Sequence, residues 1–295
     1  MKPNIFLSEK SIVYYTRKIN SRSLVDIYNK LEMTSLPGKT AVKISSGEPG
    51  GHNFLSPNLI KDLVQGVDGT IVECNTAYKG HRDHTMSHLR VLKDHGFTDI
   101  AKCDIMDAQG SMILHPKGKY LKENFVGLNL SNYSFLIDLA HVTGHILGGM
   151  GACIKNVAIG CCSKMGKCWV HSAGRNLDQV DMNLPADIFQ ECMVESAKSI
   201  VDYFKWNMAF IAVLNNISID CDCSDNPAEP VIPDLGIMAS KDPLAIDKAA
   251  YDMIIESPHA ESFIRRFHSR KGHRLFEYGK EFGLGNINYE LVFID

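Results

Sequence analysis

The sequence predicts an α/β protein with a largely parallel sheet, flanking helices and site loops at the carboxyl ends of the strands. Short apolar runs of strand length alternate with helical patterns at intervals of about 25–35 residues, which favours strand–helix–strand units and a parallel sheet. Polar, glycine-rich loops follow four of the predicted strands. We expect either one α/β domain over residues 1–295 or two intimately packed subdomains.

The elements follow from periodicity and from end signals. A short apolar run at residues 5–7 precedes the first predicted helix. Ser56 followed by Pro57, and Asp242 followed by Pro243, have the form of a helix N-cap with proline at the first helical position. Predicted helices cover residues 23–33, 56–64, 84–95, 186–205 and 242–255, and predicted strands cover residues 41–46, 70–74, 100–105, 111–115, 134–141, 208–217 and 289–294. We expect a surface excursion at residues 174–185.

Composition excludes several classes of protein. Hydrophobic residues make up 45% of the chain and charged residues 22%, and the formal net charge is −3. This balance gives no electrostatic basis for binding nucleic acid or an anionic membrane. The sequence shows no signal-peptide pattern and no apolar run near the roughly 18 residues that a membrane span needs. We therefore expect a cytoplasmic protein.

The nine cysteines are an odd count in a long chain, which argues against a disulfide framework and predicts reduced thiols. No C-x-x-C spacing occurs, so a metal site has to combine distant parts of the chain. Small core-filling side chains are the alternative role for most of these cysteines.

The richest segment runs from His141 to His171 and combines three histidines, four cysteines, three lysines and six glycines. Glycine is unfavourable inside packed helices, so this composition predicts a site whose backbone approaches a ligand closely. His141 is expected to end a strand and His145 to lie in the following loop, where one of them carries protons or ligates a metal. Lys155 and Asn156 are expected near the start of a helix, where they bind an anion.

The other strand-end loops carry further candidates. The loop GEPGGHN at residues 47–53 predicts close backbone approach or an anion-binding nest, with an ordinary turn as the alternative. The stretch at residues 75–82 predicts an anion clamp or a solvated basic turn. The spacing of His84 and His88 suits a metal, although exposed helix histidines are commoner. The motif DCDC at residues 220–223 alternates thiols and carboxylates, which predicts a metal or redox site or else a solvated acidic loop.

Taken together, seven motifs resemble those of the domain of unknown function 362 family: GEPGGHN, ECNTAYKGHR, HVTGH, Gly148 to Lys155 with Asn156, GCCSKMGK with the histidine that follows it, DCDC and PDLGIMASKDPLAID. The resemblance runs from about Lys43 to the C-terminal GLGNINYELVFI. It implies a relation to proteins described as uncharacterised iron–sulfur-centre proteins. Members of that family commonly carry a ferredoxin-like insert before the long helix, whereas residues 172–185 of this chain contain no cysteine. A four-iron cluster is therefore not expected.

These observations favour a metal-dependent enzyme that acts on a small anionic substrate. A redox or electron-transfer accessory protein, served by a ferredoxin-type donor in trans, and a non-catalytic binding scaffold are the alternatives. The predicted catalytic residues are His141, His145 and Lys155. The predicted substrate-binding residues are Lys43, Glu48, His52, Asn53, Asn75, Tyr78, Lys79, Arg82, Asn156, Ser163 and Lys167. The predicted ligands of a metal of unassigned identity are Cys221, Cys223, Asp220, Asp222, Cys161 and Cys162.

Overall fold

A computed structural model describes residues 10–33 and 38–295. The apolar run predicted at residues 5–7 lies outside the described residues. The strands are β1 (Ser11–Thr16), β2 (Lys39–Lys43), β3 (Gly69–Glu73), β4 (Cys103–Ile105), β5 (Ser111–Leu114), β6 (Asn124–Gly127), β7 (Tyr133–His141), β8 (Thr143–His145), β9 (Gly149–Gly151), β10 (Met208–Leu214), β11 (Gly236–Ser240) and β12 (Tyr289–Phe293). The α-helices are α1 (Ser21–Lys30), α2 (Pro57–Gly66), α3 (Thr85–Asp94), α4 (Cys153–Ala158), α5 (Lys164–His171), α6 (Ala186–Tyr203), α7 (Pro243–Ile255), α8 (Glu261–Ser269) and α9 (His273–Glu281). Short 3₁₀ turns cover Phe97–Asp99 and Leu128–Asn132.

The main sheet has eight strands in the order β12-β1-β11-β10-β7-β2-β3-β4. Every neighbouring pair is parallel except the two pairs that β11 makes with β1 and β10. This arrangement confirms the predicted α/β class and the largely parallel sheet. The carboxyl ends of β2, β3, β7 and β10 therefore lie along one edge, which is where ligand sites form in such sheets.

Helices cover both faces of the sheet. Alternate residues of the central strands enter different apolar clusters: in β10, Phe210 and Ala212 belong to one cluster, and Ile211 and Val213 to the other. Helices α1, α2 and α3 pack in the second cluster, whereas α4, α6, α7, α8 and α9 pack in the first. Burial on both faces explains why β10 is a continuous apolar run without polar alternation.

Five predicted helices and most predicted strands are present with shifted ends. The prediction for residues 100–105 is too long, because only Cys103–Ile105 forms a strand. The prediction for residues 111–115 yields β5, which pairs with β6 outside the main sheet. His145 belongs to the β8–β9 hairpin, so its prediction as a loop residue was wrong. Strands β1, β6, β8, β9 and β11 and helices α5, α8 and α9 were not predicted, whereas α4 carries Lys155 and Asn156 near its start, as expected. None of the described helices is long and apolar enough to cross a membrane.

Two glycines of the His141–His171 segment serve packing, which corrects their prediction as ligand-approach positions. A Cβ at Gly144 would lie 2.1 Å from the carbonyl oxygen of Ile219, and a Cβ at Gly166 would lie 1.8 Å from that of Phe125. Neither glycine lines the cavity at the carboxyl edge of the sheet. The backbone of α5 thus rests directly on β6, and the β8–β9 hairpin rests on the loop that follows β10.

Replacing Gly166 by alanine tests this packing. Alanine normally stabilises a helix by about 1 kcal/mol relative to glycine, but the clash with Phe125 should reverse the sign and lower the free energy of unfolding by about 1–3 kcal/mol. Gly66, also helical, has no neighbour within 4 Å of a Cβ, so Gly66→Ala is the matched control and should be neutral or stabilising. Urea denaturation of both variants measures the difference, and equal effects would contradict the packing argument.

Candidate functional site

A cavity of about 380 Å³ opens at the carboxyl edge of the sheet. It is bounded by the loops after β2 and β3, the β8–β9 hairpin, helices α4 and α5, and the loops that follow α5 and β10. Its lining residues are Lys43, Ser45, Glu73, Cys74, Thr76, Ala77, Tyr78, Arg82, His145, Ile146, Leu147, Lys155, Asn156, Ile159, Gly160, Lys167, His171, Val180, Met182 and Cys223. The four strand-end loops that the sequence analysis identified therefore either line this cavity or lie next to it.

The floor of the cavity is a compensated set of buried charges. The ammonium group of Lys43 donates to Asn156 Oδ1 at 3.0 Å and lies 3.4 Å from Glu73 Oε2. Burial alone would raise the pKa of Glu73, but Lys43, His88 and Arg82 together hold that pKa well below its ordinary value. Glu73 is therefore ionised, and its charge is used within the protein rather than offered to a ligand.

Arg82 is also fully engaged. Its Nε donates to Glu48 Oε1 at 2.7 Å, and its Nη1 lies 3.6 Å from Glu73 Oε1. The hydroxyl of Tyr78 donates to Glu48 Oε1 at 2.8 Å and accepts from Arg82 Nη2 at 2.9 Å. The carboxylates of Glu48 and Glu73 thus balance the charges of Arg82 and Lys43. These four side chains hold the loops together and leave no net charge of their own for a ligand.

Asn156 connects this floor to the strand beneath it. Its Nδ2 donates to Asp138 Oδ1 at 2.6 Å and to the Lys43 carbonyl at 3.2 Å. Burial raises the pKa of Asp138 well above its ordinary value. The amide of Asn156 is therefore held at both ends, which orients the Lys43 ammonium.

Two cations of the cavity have no carboxylate partner among the described residues. Lys167 donates only to carbonyl oxygens, those of Cys162 at 2.6 Å and Cys74 at 3.4 Å. The ammonium of Lys155 makes no hydrogen bond or ion pair within residues 10–33 and 38–295, and burial lowers its pKa to about 8. The cavity therefore keeps uncompensated positive charge for a ligand.

Two neutral histidines face the same space with opposite proton arrangements. His145 Nδ1 accepts from Gly148 N at 2.8 Å and from Leu147 N at 3.3 Å, so its proton resides on Nε2. His171 Nδ1 lies 2.7 Å from the Lys167 carbonyl and must donate, so its Nε2 keeps a lone pair. The cavity thus receives one N–H donor and one basic nitrogen.

Both histidines remain uncharged at neutral pH. Burial, reinforced by Lys155 and other cations, lowers the pKa of His145 well below its ordinary value. Burial also lowers the pKa of His171 to about 4. His171 was not among the predicted site residues, although its spacing of four from Lys167 puts both residues on one face of α5. That spacing is the sequence signal that could have identified His171 as a site residue.

His141, a predicted catalytic residue, does not line the cavity. Its Nδ1 lies 2.8 Å from Asp222 Oδ1 and its Nε2 lies 2.6 Å from the Asn215 carbonyl. Burial would lower the pKa of His141, but Asp222 and the carbonyl raise it above its ordinary value. The geometry therefore makes His141 a cation that fastens the end of β7 to the loop after β10.

The DCDC motif forms a turn, closed by a hydrogen bond from Ser224 N to the Cys221 carbonyl, rather than the extended chain that was expected. The expectation of fully reduced thiols is also corrected, because Cys221 and Cys223 are joined by a disulfide while the other seven cysteines are free. A ring nitrogen of His145 and the two sulfur atoms lie within 4.8 Å of one another. This group is the candidate metal site of the described residues.

The remaining predicted metal ligands lie elsewhere. Asp222 binds His141, and Asp220 accepts from Ala228 N at 3.1 Å. The Cys162 sulfur donates to the Ala158 carbonyl at 2.9 Å. Burial raises the pKa of Cys161 to about 12 and also raises that of Cys162. These two cysteines are therefore protonated core side chains, outside the candidate metal group.

Several predicted substrate-binding residues also lie outside the cavity lining. Glu48 supports Arg82, and the loop around it contacts the Asp222 carbonyl through Glu48 N at 3.0 Å, so it forms no cavity-facing anion nest. His52 is exposed beside Glu229, and Lys79 is exposed. Asn53 Nδ2 reaches the Ala228 carbonyl, Asn75 Nδ2 donates to Thr85, and Ser163 caps α5 through Gly166 N. Of the pair His84 and His88, only His88 is buried.

The metal hypothesis can be tested against this geometry. A histidine that ligates a metal through one nitrogen normally donates a hydrogen bond from the other, whereas His145 Nδ1 accepts two. The two sulfur atoms are bonded to each other, so neither is a thiolate. In this state the three donors do not fit a metal ion. They would fit one only after the disulfide is reduced and His145 Nε2 has lost its proton.

The sequence model described as "Domain of unknown function (DUF362)" matches residues 40–252. No curated protein matches the chain in sequence. The lactate racemase apoprotein from Thermoanaerobacterium thermosaccharolyticum superposes with a TM-score of 0.45 at 13% identity, covering 82% of this chain and 56% of that one. A protein from Thermotoga maritima gives a TM-score of 0.44 at 10% identity, covering 90% of this chain and 59% of that one.

This chain thus spans less than two thirds of the length of either solved structure. The family match is more extensive within the chain itself, since residues 40–252 make up 213 of its 295 residues. The chain therefore belongs to the family described as domain of unknown function (DUF362).

Proposed function

We propose that the cavity is the active site of an enzyme that moves protons on a small organic anion. The observation that carries this proposal is the unpaired ammonium of Lys155 in a cavity that also receives a neutral histidine donor and a neutral histidine acceptor. A buried cation without a partner is unfavourable, and a carboxylate ligand would relieve that cost. Perturbed ionisable groups that converge in a cavity are typical of active sites.

The shape of the cavity supports an organic rather than an inorganic anion. Lys155 and Lys167 offer charge and N–H donors, while Ile146, Leu147 and Met182 offer apolar surface. Ile146 is 54% exposed and Met182 is 61% exposed, so apolar surface lies at the mouth of the cavity. A ligand with a carboxylate at one end and a carbon skeleton at the other matches both regions.

The two histidines support general acid–base catalysis on the bound anion. His171 Nε2 has the lone pair that a general base needs, and the neutral His145 ring carries an Nε2–H that can donate to a developing oxyanion. Because both pKa values are lowered, the two rings hold these roles at neutral pH. A non-catalytic scaffold, the third class considered from sequence, needs no such complementary pair.

A metal-dependent enzyme is the second candidate, supported by the proximity of His145, Cys221 and Cys223. Two thiolates and one imidazole with a position left open is a ligand set found in catalytic zinc sites. Since His145, Cys221 and Cys223 fit a metal only after the disulfide is reduced, the proton transfer proposed above relies on the histidines and not on a metal. From the family resemblance we also propose that a ferredoxin-type donor could act in trans.

Lys155→Met tests the anion site. The substitution removes the uncompensated charge but keeps the length of the side chain, so small carboxylates should bind at least about tenfold more weakly. In the unmodified protein, affinity should be constant below about pH 8 and fall above it, since Lys155 loses its proton near that pH. Calorimetry against a panel of small carboxylates measures both effects.

The exposed lysine Lys79 provides the matched control, because Lys79→Met changes the net charge equally without touching the cavity. Equal weakening by the two substitutions, or a pH profile that survives in Lys155→Met, would rule out Lys155 as the anion-binding group.

His171→Gln tests proton transfer. Glutamine has no basic nitrogen, so exchange of a substrate C–H proton with deuterated water should slow by about 100-fold or more, in line with the usual contribution of a general base. Proton NMR of carboxylates incubated with the protein in deuterated water measures the exchange. His84→Gln is the control, since its side chain is 78% exposed. Absence of exchange with any bound carboxylate would rule out proton transfer as the activity of the cavity.

Zinc binding by the reduced protein tests the second candidate. After treatment with a phosphine reductant the protein should take up one zinc ion, and it should take up none after the disulfide is re-formed. Cys221→Ser with Cys223→Ser should abolish uptake, whereas Cys103→Ser should not, because Cys103 lies outside the candidate metal group. Mass spectrometry under native conditions provides the stoichiometry, and retention of zinc by the double variant would exclude these ligands.

A further inference from the structure

We propose that the Cys221–Cys223 disulfide is a redox-active group that exchanges with small thiols bearing a carboxylate. The cavity would then support thiol–disulfide exchange as an activity beyond proton transfer. The choice of an anionic thiol rests on the proposed anion site at Lys155, whereas the exchange itself rests on the disulfide and its surroundings.

A structural role explains this disulfide poorly. The stabilisation that a disulfide provides through chain entropy increases with the length of the loop it closes, and this one joins residues only two positions apart. Other contacts already hold the loop: His141 binds Asp222 at 2.8 Å, and Glu48 N donates to the Asp222 carbonyl at 3.0 Å. The bond therefore adds little to the fold.

The two sulfur atoms differ in access, which defines the direction of attack. Cys223 lines the cavity and is half-buried, whereas Cys221 is buried. An incoming thiolate in the cavity would therefore reach Cys223 Sγ, and Cys221 would leave as the thiolate. For a given attacking thiol, access and the stability of the leaving thiolate are two factors that determine such exchange rates.

The surroundings of Cys221 suit a leaving thiolate. The backbone N–H of Cys223 donates to Cys221 Sγ at 3.3 Å, and a ring nitrogen of His145 lies within 4.8 Å of it. Since His145 Nδ1 already accepts backbone N–H groups, the proton of the ring resides on Nε2. Cationic Arg266 lies beside the same loop, 3.9 Å from Asp220. Donors and positive charge of this kind stabilise thiolates.

The exchange balances in two steps. A thiolate RS⁻ attacks Cys223 Sγ, the Cys221–Cys223 bond breaks, and Cys221 leaves as a thiolate that takes up one proton. A second RS⁻ attacks the substrate sulfur of the mixed disulfide, which releases RSSR and the Cys223 thiolate, and this also takes up a proton. Two thiols are thereby oxidised while the protein pair gains two electrons and two protons. A small disulfide reoxidises the pair by the reverse sequence.

The first experiment compares two thiols of similar size, mercaptoacetate and neutral 2-mercaptoethanol, on the full chain. Alkylation followed by mass spectrometry measures the rate at which Cys221 and Cys223 become reduced. Each rate is divided by the rate of the same thiol with a free small disulfide, which removes differences in intrinsic reactivity. We expect mercaptoacetate to be favoured by about tenfold or more, and Lys155→Met to remove that preference.

The second experiment traps the intermediate. In Cys221→Ser the remaining Cys223 should form a lasting mixed disulfide with the disulfide of mercaptoacetate, because the resolving sulfur is absent. In Cys223→Ser the buried Cys221 should form little or none. Cys103→Ser measures background labelling, since Cys103 is the one free cysteine that is half-buried rather than buried. Equal adducts on the two single variants would overturn the proposed direction of attack.

The outcomes separate this inference from the proposed function. A disulfide that resists mercaptoacetate in the folded protein, under conditions that reduce it in the urea-unfolded protein, would overturn the redox proposal and leave carboxylate binding at Lys155 intact. Reduction at equal normalised rates by both thiols, in the unmodified protein and in Lys155→Met alike, would overturn the anion selectivity and the proposed anion site together.

Discussion

The site depends on the buried carboxylate of Glu73 at the end of β3. Glu73 accepts from Ser46 N at 2.6 Å and balances Lys43 and Arg82, which come from the end of β2 and from the loop after β3. Breaking a buried pair of this kind typically costs about 3–5 kcal/mol, because the remaining charge is left without a partner. The neighbouring strand ends are therefore held in register by charge as well as by backbone hydrogen bonds.

This compensated floor determines which charges remain for a ligand. With Glu73 and Glu48 engaged by Lys43 and Arg82, Lys155 and Lys167 are the cavity cations that have no carboxylate partner among the described residues. Lys155 and Lys167 belong to different helices that both border the cavity. The cavity is therefore positive because its carboxylates are paired while two of its lysines are not, although the chain as a whole has a formal net charge of −3.

Backbone geometry assigns the chemistry of the two histidines. The β8–β9 hairpin turns its N–H groups toward His145, whereas helix α5 turns a carbonyl toward His171. Each contact selects one tautomer, and burial keeps both rings neutral. The same hairpin brings His145 to the Cys221–Cys223 turn, so the proposed proton transfer and the proposed thiol–disulfide exchange would share one wall of the cavity.

Much of the fold and part of the site could be predicted from the sequence. Strand–helix alternation and the N-cap signal at Asp242 and Pro243 are local, and the structure bears out both the α/β class and this cap, whose side chain accepts from Leu244 N and Ala245 N. Strand β11 was missed because its five residues carry no alternation of polar and apolar side chains. The convergence of strand-end loops followed from the parallel order of the strands.

The sequence by itself therefore determined the class of fold and the edge of the sheet where reactive residues gather, because short-range periodicity encodes both. Only the tertiary structure decided which residues are free to act. Arg82 and His141 were plausible site residues until carboxylates distant in sequence, Glu48 and Asp222, were seen to bind them. His171 faces the cavity because α5 packs on β6 through Gly166. Charge pairing and burial depend on contacts between remote segments, and local sequence patterns do not specify those contacts.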